Sequence, residues 1–226
     1  MERQKSITYP AVKKQYAPPR TGKWLVTLIL LFHAVGIVGF TLIKTRPFFL
    51  VLVPFHLLLM TVLVVKSHNR LSKKFLYFFI ITALAGFITE LVGTATGLLF
   101  GTYSYGSTLG IKAAGVPLLM GLLWFLMIYS AGVTMRLSGL KYIVLRVLIG
   151  AALLTALDWL IEPVAIKFDY WNWKNNIIPM YNYVCWFGLS LVLLLIFELF
   201  RFKKQSGVAV VFLITQFIFF IALRYV

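Results

Sequence analysis

Acidic side chains are scarce in this chain, with six Asp and Glu against 22 Lys and Arg and a formal net charge of +16. So basic a balance raises nucleic acid as a partner. The basic residues, however, sit between long apolar runs, as they do in the cytoplasmic loops of membrane proteins, and this excludes a nucleic-acid role. Cysteine is nearly absent, and with Cys185 alone no internal disulfide can form. Histidine is limited to His33, His56 and His68, scattered without ligand spacing. That excludes histidine-rich di-iron chemistry and a Cys/His metal cluster. There is no Gly-rich phosphate loop, no dinucleotide fingerprint and no nucleophile elbow. No metal site and no cofactor are expected.

Apolar residues are what the chain has in abundance. They make up 61% of it, with a mean hydropathy of +0.93, where a soluble domain is about half apolar or less. Seven runs are candidate spans, at about 24–43, 47–65, 75–99, 115–135, 142–162, 182–200 and 208–224, since about 20 helical residues cross a bilayer. The expected fold is an all-α integral membrane protein, a bundle of about seven transmembrane helices in one domain over 24–226. Residues 1–23 are polar and basic, without the apolar core of a signal peptide, and read as a cytoplasmic tail. Lys and Arg divide sixteen to six between alternate sides of the spans. This puts the N-terminus in the cytoplasm and makes the chain a multi-pass protein of the cytoplasmic membrane.

That orientation gives the acids a pattern. Asp158 and Glu162 lie four residues apart, on one face of a helix, near the outer end of the fifth span. Pro163 follows and is expected to end the regular helix. Glu90 lies in the outer half of the third span, on a face with Gly86, Gly93 and Gly97 that suits close helix packing. Three membrane acids thus share one depth. Acids in hydrocarbon are costly, and their default reading is functional. A pair in a low-dielectric pocket does not easily carry two charges, so one member can stay protonated and donate. The bland reading is a structural bond to a Tyr, Trp or Asn on a neighbouring helix. Glu198 is expected to pair with Arg201, three residues on. Asp169 lies among Tyr170, Trp171 and Trp173, expected as an interfacial aromatic belt. His33 and His56 read as satisfied polar residues between helices.

The ordered series Glu90, Gly97-Leu98-Leu99-Phe100-Gly101-Thr102-Tyr103-Ser104-Tyr105, Gly115-Val116-Pro117, Asp158-x-x-x-Glu162-Pro163-Val164-Ala165, Trp171-x-Trp173 and Asn182-Tyr183-x-x-Trp186-Phe187 resembles the CruF-type membrane carotenoid hydratases. That group includes bisanhydrobacterioruberin hydratases and carotenoid 1,2-hydratases. The resemblance covers roughly residues 75–190. It implies a cofactor-free hydro-lyase that adds water across the terminal C1=C2 bond of an acyclic (ψ) carotenoid end, giving a tertiary alcohol. Lycopene, γ-carotene or a related pigment, arriving from the lipid bilayer, is the implied substrate. Such chemistry needs a neutral acid, a group that orients and deprotonates water, and a wall that tolerates a cation. Asp158 is the expected acid, and Glu162 or Glu90 steers water. Trp124, Trp159, Tyr103 and Trp186 offer ring faces to the cation, and Tyr105 and Asn182 complete the expected substrate site. A carotenoid or terpene cyclase would use the same protonation. A small proton-coupled transporter is the non-enzyme alternative.

Overall fold

The computed structural model describes residues 20–68, 71–202 and 206–226. Residues 1–19 of the expected cytoplasmic tail, 69–70 and 203–205, with the basic Arg70, Lys203 and Lys204, lie outside the described residues. Among the described residues seven helices follow one another: α1 (Arg20–Thr41), α2 (Arg46–Lys66), α3 (Lys73–Thr96), α4 (Leu119–Leu137), α5 (Ile143–Lys167), α6 (Met180–Phe200) and α7 (Val208–Arg224). Six are long and apolar enough to cross a membrane, and α7, with 17 residues, is apolar but shorter. The chain is an all-α integral membrane protein.

The centre of the bundle is α4. Its apolar window is 72% buried, against 22–33% for the other five long helices. The side chains it buries include Trp124, Phe125, Tyr129 and the small residues Gly121, Ser130 and Gly132. Small residues let neighbours approach closely: at Gly132 a Cβ would run into the Phe197 ring of α6, and at Gly121 one would lie 2.7 Å from the Ala83 carbonyl of α3. The outward faces of the surrounding helices carry exposed Phe48, Val51 and Phe55 on α2 and Val144 on α5. In lipid such a surface is solvated, and every backbone polar group must be satisfied inside its own helix or by a neighbour.

That requirement explains a departure from expectation. The helix does not stop at Pro163; α5 runs through it to Lys167. Proline has no N–H for the carbonyl four residues back, that of Trp159. Arg224, the last residue of α7, fills the gap. Its Nη2 donates to the Trp159 carbonyl at 2.7 Å and its Nε to the Leu160 carbonyl at 3.3 Å, with the guanidinium 4.1 Å from the Trp159 ring centroid. Continuing the helix carries the chain straight into the loop above the acids. Replacing Arg224 by Ala should leave those carbonyls unpaired, at a cost of about 1–3 kcal/mol. The expected outcome is a lower melting temperature in detergent, with α7 the first segment to exchange its amide hydrogens.

Among the described residues four short strands lie in the loops: β1 (Tyr103–Tyr105), β2 (Lys112–Ala113), β3 (Val116–Pro117) and β4 (Trp171–Trp173). β2 and β3 form a hairpin. β1 pairs antiparallel with β4, Tyr103 opposite Trp173 and Tyr105 opposite Trp171. Gly106, next after β1, lies so close to Asp169 that a Cβ would overlap that residue. Asp169 Oδ2 accepts from the Ser107 backbone N–H at 2.8 Å and the Ser107 hydroxyl at 2.9 Å. The backbone N–H bond is the main reason its carboxyl lies below the usual carboxylate range.

At the other end of the bundle Glu198 does not pair with Arg201. The helix ends at Phe200, and Arg201 takes a left-handed conformation (φ 44°, ψ 51°) and is exposed. Glu198 instead accepts from Arg146 of α5 (Nε to Oε1, 2.7 Å) and Arg136 of α4 (Nη2 to Oε2, 3.0 Å). One buried carboxylate therefore ties three helices together.

Candidate active site

The pairing of β1 with β4 sets the geometry above the acids. Side chains alternate across a strand, so Tyr103 and Tyr105 face one way with Trp171 and Trp173, all four buried. What they face is carboxylate. Glu90 of α3 accepts at Oε2 from the hydroxyls of Tyr103 (2.5 Å) and Tyr105 (2.7 Å), and at Oε1 from Trp124 Nε1 (2.8 Å). Glu162 of α5 accepts at Oε2 from Trp171 Nε1 (3.0 Å) and Trp173 Nε1 (2.7 Å). Burial, with the charge of Glu90 added to it, pushes both phenols well above their ordinary range, so both remain donors.

Asn182, in the first turn of α6, joins the second glutamate to the aspartate. Its Nδ2 donates to Asp158 Oδ2 at 2.8 Å and to Glu162 Oε1 at 3.2 Å. Asp158 is fully buried, and among the described residues its Oδ1 has no hydrogen-bond partner. Of the six carboxylate oxygens on these three acids, that one alone meets no donor. Trp186, one turn beyond Asn182, stacks on Trp124 with centroids 4.3 Å apart. Trp124 is seated because Gly86 of α3 leaves it room; a Cβ there would run into the indole.

Two cavities meet at this cluster. The smaller, of about 20 Å³, is bordered by Glu90, Glu162, Tyr103, Tyr105 and Asn182. It has the size and the polar partners to hold one water molecule. The larger, of about 400 Å³, is almost wholly apolar and lies among α1, α2, α4 and α7, in the size range of small-molecule sites. Trp171 and Trp186 border both. Phe48 and Phe55, on the lipid-facing surface, line the larger one, so it opens toward the bilayer.

The structure brings together Glu90, Asp158, Glu162, Tyr103, Tyr105, Trp124, Asn182 and Trp186 of the expected site. Trp159 is not among them. It is 52% exposed on the outer face of α5, under the Arg224 guanidinium. Trp171 and Trp173, expected in an interfacial belt, are buried donors to Glu162. His33 and His56 line the larger cavity with Gln216. His33 is a satisfied polar residue, bonded to the Ile29 carbonyl and to Gln216 at 2.7 Å each, and His56 packs edge-on against it at 4.7 Å. Among the described residues no group of three His, Cys, Asp or Glu is placed to hold a metal ion.

No curated protein and no solved structure matches the chain. A family model described as "Carotenoid biosynthesis protein" matches residues 47–226. That span holds all three acids, both aromatic strands and most of the apolar cavity's lining, so sequence and site agree: the chain belongs to the carotenoid biosynthesis protein family.

Proposed function

We propose that the chain is a hydro-lyase that adds water across the terminal C1=C2 double bond of an acyclic carotenoid end group, such as that of lycopene or γ-carotene. The observation that carries this reading is the contact, at Trp171 and Trp186, between a water-sized cavity bordered by two carboxylates and an apolar cavity open toward lipid. A polyene end lying in the apolar cavity would bring its last double bond to the acids. The rest of the chain would extend into the bilayer.

The steps balance without a redox partner. A carboxyl proton goes to C2 as the C1=C2 π bond breaks, leaving a tertiary cation at C1. Water held in the small cavity forms the C1–O bond and gives its surplus proton to a carboxylate, which restores the cluster. The hydrogen-bond inventory favours Asp158 as the proton's resting place, because the groups that reach Glu162, two indole N–H and the Asn182 NH₂, all donate and Asp158 Oδ1 meets no donor. Glu162 borders the small cavity and Asp158 lines neither, so Glu162 delivers the proton to C2 and is then re-protonated directly by Asp158, its neighbour one helical turn away, the Asn182 NH₂ between them only donating. Glu90, held by three donors, orients the water. The faces of Trp171 and Trp186 stabilise the cation, by up to about 2 kcal/mol each where desolvated. The basic loops orient the chain in the cytoplasmic membrane with its N-terminus inside and this site toward the outer leaflet.

Expression in a lycopene-accumulating bacterium tests the reading. Pigments heavier by one water per modified end are expected. Pigments of unchanged mass with a shifted spectrum would mean a cyclase, and unaltered lycopene would sink both readings for that substrate.

A further inference from the structure

Tyr103 and Tyr105 have another side. Besides bordering the water-sized cavity, they line a third cavity of about 310 Å³, together with Thr94, Ala95, Ser104 and Lys112. It lies between the last turn of α3, β1 and the β2–β3 hairpin. Unlike the apolar cavity, it is open to water: Ser104, Lys112, Ala114 and Gly115 are exposed around it. The Lys112 ammonium donates to the Tyr105 carbonyl at 2.6 Å, placing a hydrated cation on its wall. Among the described residues the two tyrosines are the lining these cavities share, and each keeps a sliver of exposure, 9% and 8%.

We propose that this third cavity is the vestibule through which the reacting water reaches the acids, crossing at Tyr103 and Tyr105. The inference rests on the hydration reading. Hydration needs two reactants with opposite solvent preferences. A water molecule entering by the apolar cavity would give up its hydrogen bonds along the whole way. Through the tyrosines it passes from an open groove to a phenol hydroxyl and then to Glu90, with a polar partner at every stage. The polyene uses the other wall, at Trp171 and Trp186. Water supply then decides the product. A C1 cation that meets no water loses a proton from a neighbouring carbon, or is captured by the chain's next double bond, and neither outcome changes the mass.

Filling the vestibule tests this. Ala95 is exposed on α3, where Ala95→Trp needs no change of backbone and projects a ring into the groove. Leu98→Trp, on exposed surface outside all three cavities, is the control. Hydroxyl-radical labelling of Tyr103 and Tyr105 in nanodiscs, read by mass spectrometry, reports water access without reference to activity. Ala95→Trp is expected to lower that labelling several-fold. It should also lower hydrated pigment about tenfold or more, with bound carotenoid unchanged and the shortfall appearing as pigment of unaltered mass. Unchanged labelling, or lowered labelling with full hydration, would overturn the vestibule. Lowered labelling in a protein whose wild type hydrates nothing would leave the water route standing and remove the hydratase reading instead.

Discussion

Asp158→Asn is expected to abolish hydration, by about 10²–10⁴-fold, the usual worth of a positioned acid, while the protein folds and still binds its pigment. The amide is the same shape as the acid. Its oxygen can still accept from Asn182 Nδ2, which now spans 2.8 Å to Asp158 Oδ2. What it cannot do is hold, and hand on, the proton that Glu162 delivers to the alkene. Glu162→Gln should lose a similar factor by a different route. A glutamine NH₂ would face Trp171, Trp173 or Asn182, all of them donors, so the pairing of β1 with β4 above it should weaken as well. Melting temperature in detergent separates the two: near wild type for Asp158→Asn, lowered for Glu162→Gln. An Asp158→Asn protein that keeps most of its activity on lycopene would remove Asp158 from the proton path.

Glu198→Ala should be the most damaging single change to stability. The carboxylate is 5% exposed and compensates two guanidiniums that are themselves mostly covered, 18% and 14% exposed. Taking away one member of a buried ion cluster costs about 3–5 kcal/mol, because the two guanidinium charges left behind keep only backbone carbonyls and no counter-charge. The expected result is little folded protein extracted from membranes. Arg201→Ala, by contrast, should be silent, since that side chain has turned out of the helix. Equal loss in the two variants would restore the local pair and contradict the three-helix tie.

Much of this was legible in the sequence, and the parts that were not have physical reasons. Helix positions follow from apolar run length, and the shared depth of Glu90, Asp158 and Glu162 followed once the Lys and Arg distribution had fixed the direction of each span. Trp159 was misplaced because it neighbours Asp158 in sequence; one residue along a helix turns the side chain about 100°, off the face that Asp158 and Glu162 share. Glu198 and Arg201 have the spacing of a helical pair, but the helix ends between them, and the real partners lie on other helices. Tyr-x-Tyr and Trp-x-Trp carry an alternation only three residues long, too short to tell a strand from a membrane-interface cluster. Their pairing joins segments about 68 residues apart, which no local pattern announces.

The antiparallel pairing of β1 and β4 has a consequence for how the cluster fails. Neighbouring positions on a strand point to opposite faces, so slippage of one strand by a single residue would turn its own pair away, Tyr103 and Tyr105 from β1 or Trp171 and Trp173 from β4. In the first case Glu90 would keep only Trp124, and in the second Glu162 only Asn182. Insertions or deletions in the two short segments should therefore fail differently: one in β1 strips Glu90 of both its phenols at once, and one in β4 strips Glu162 of both its indoles.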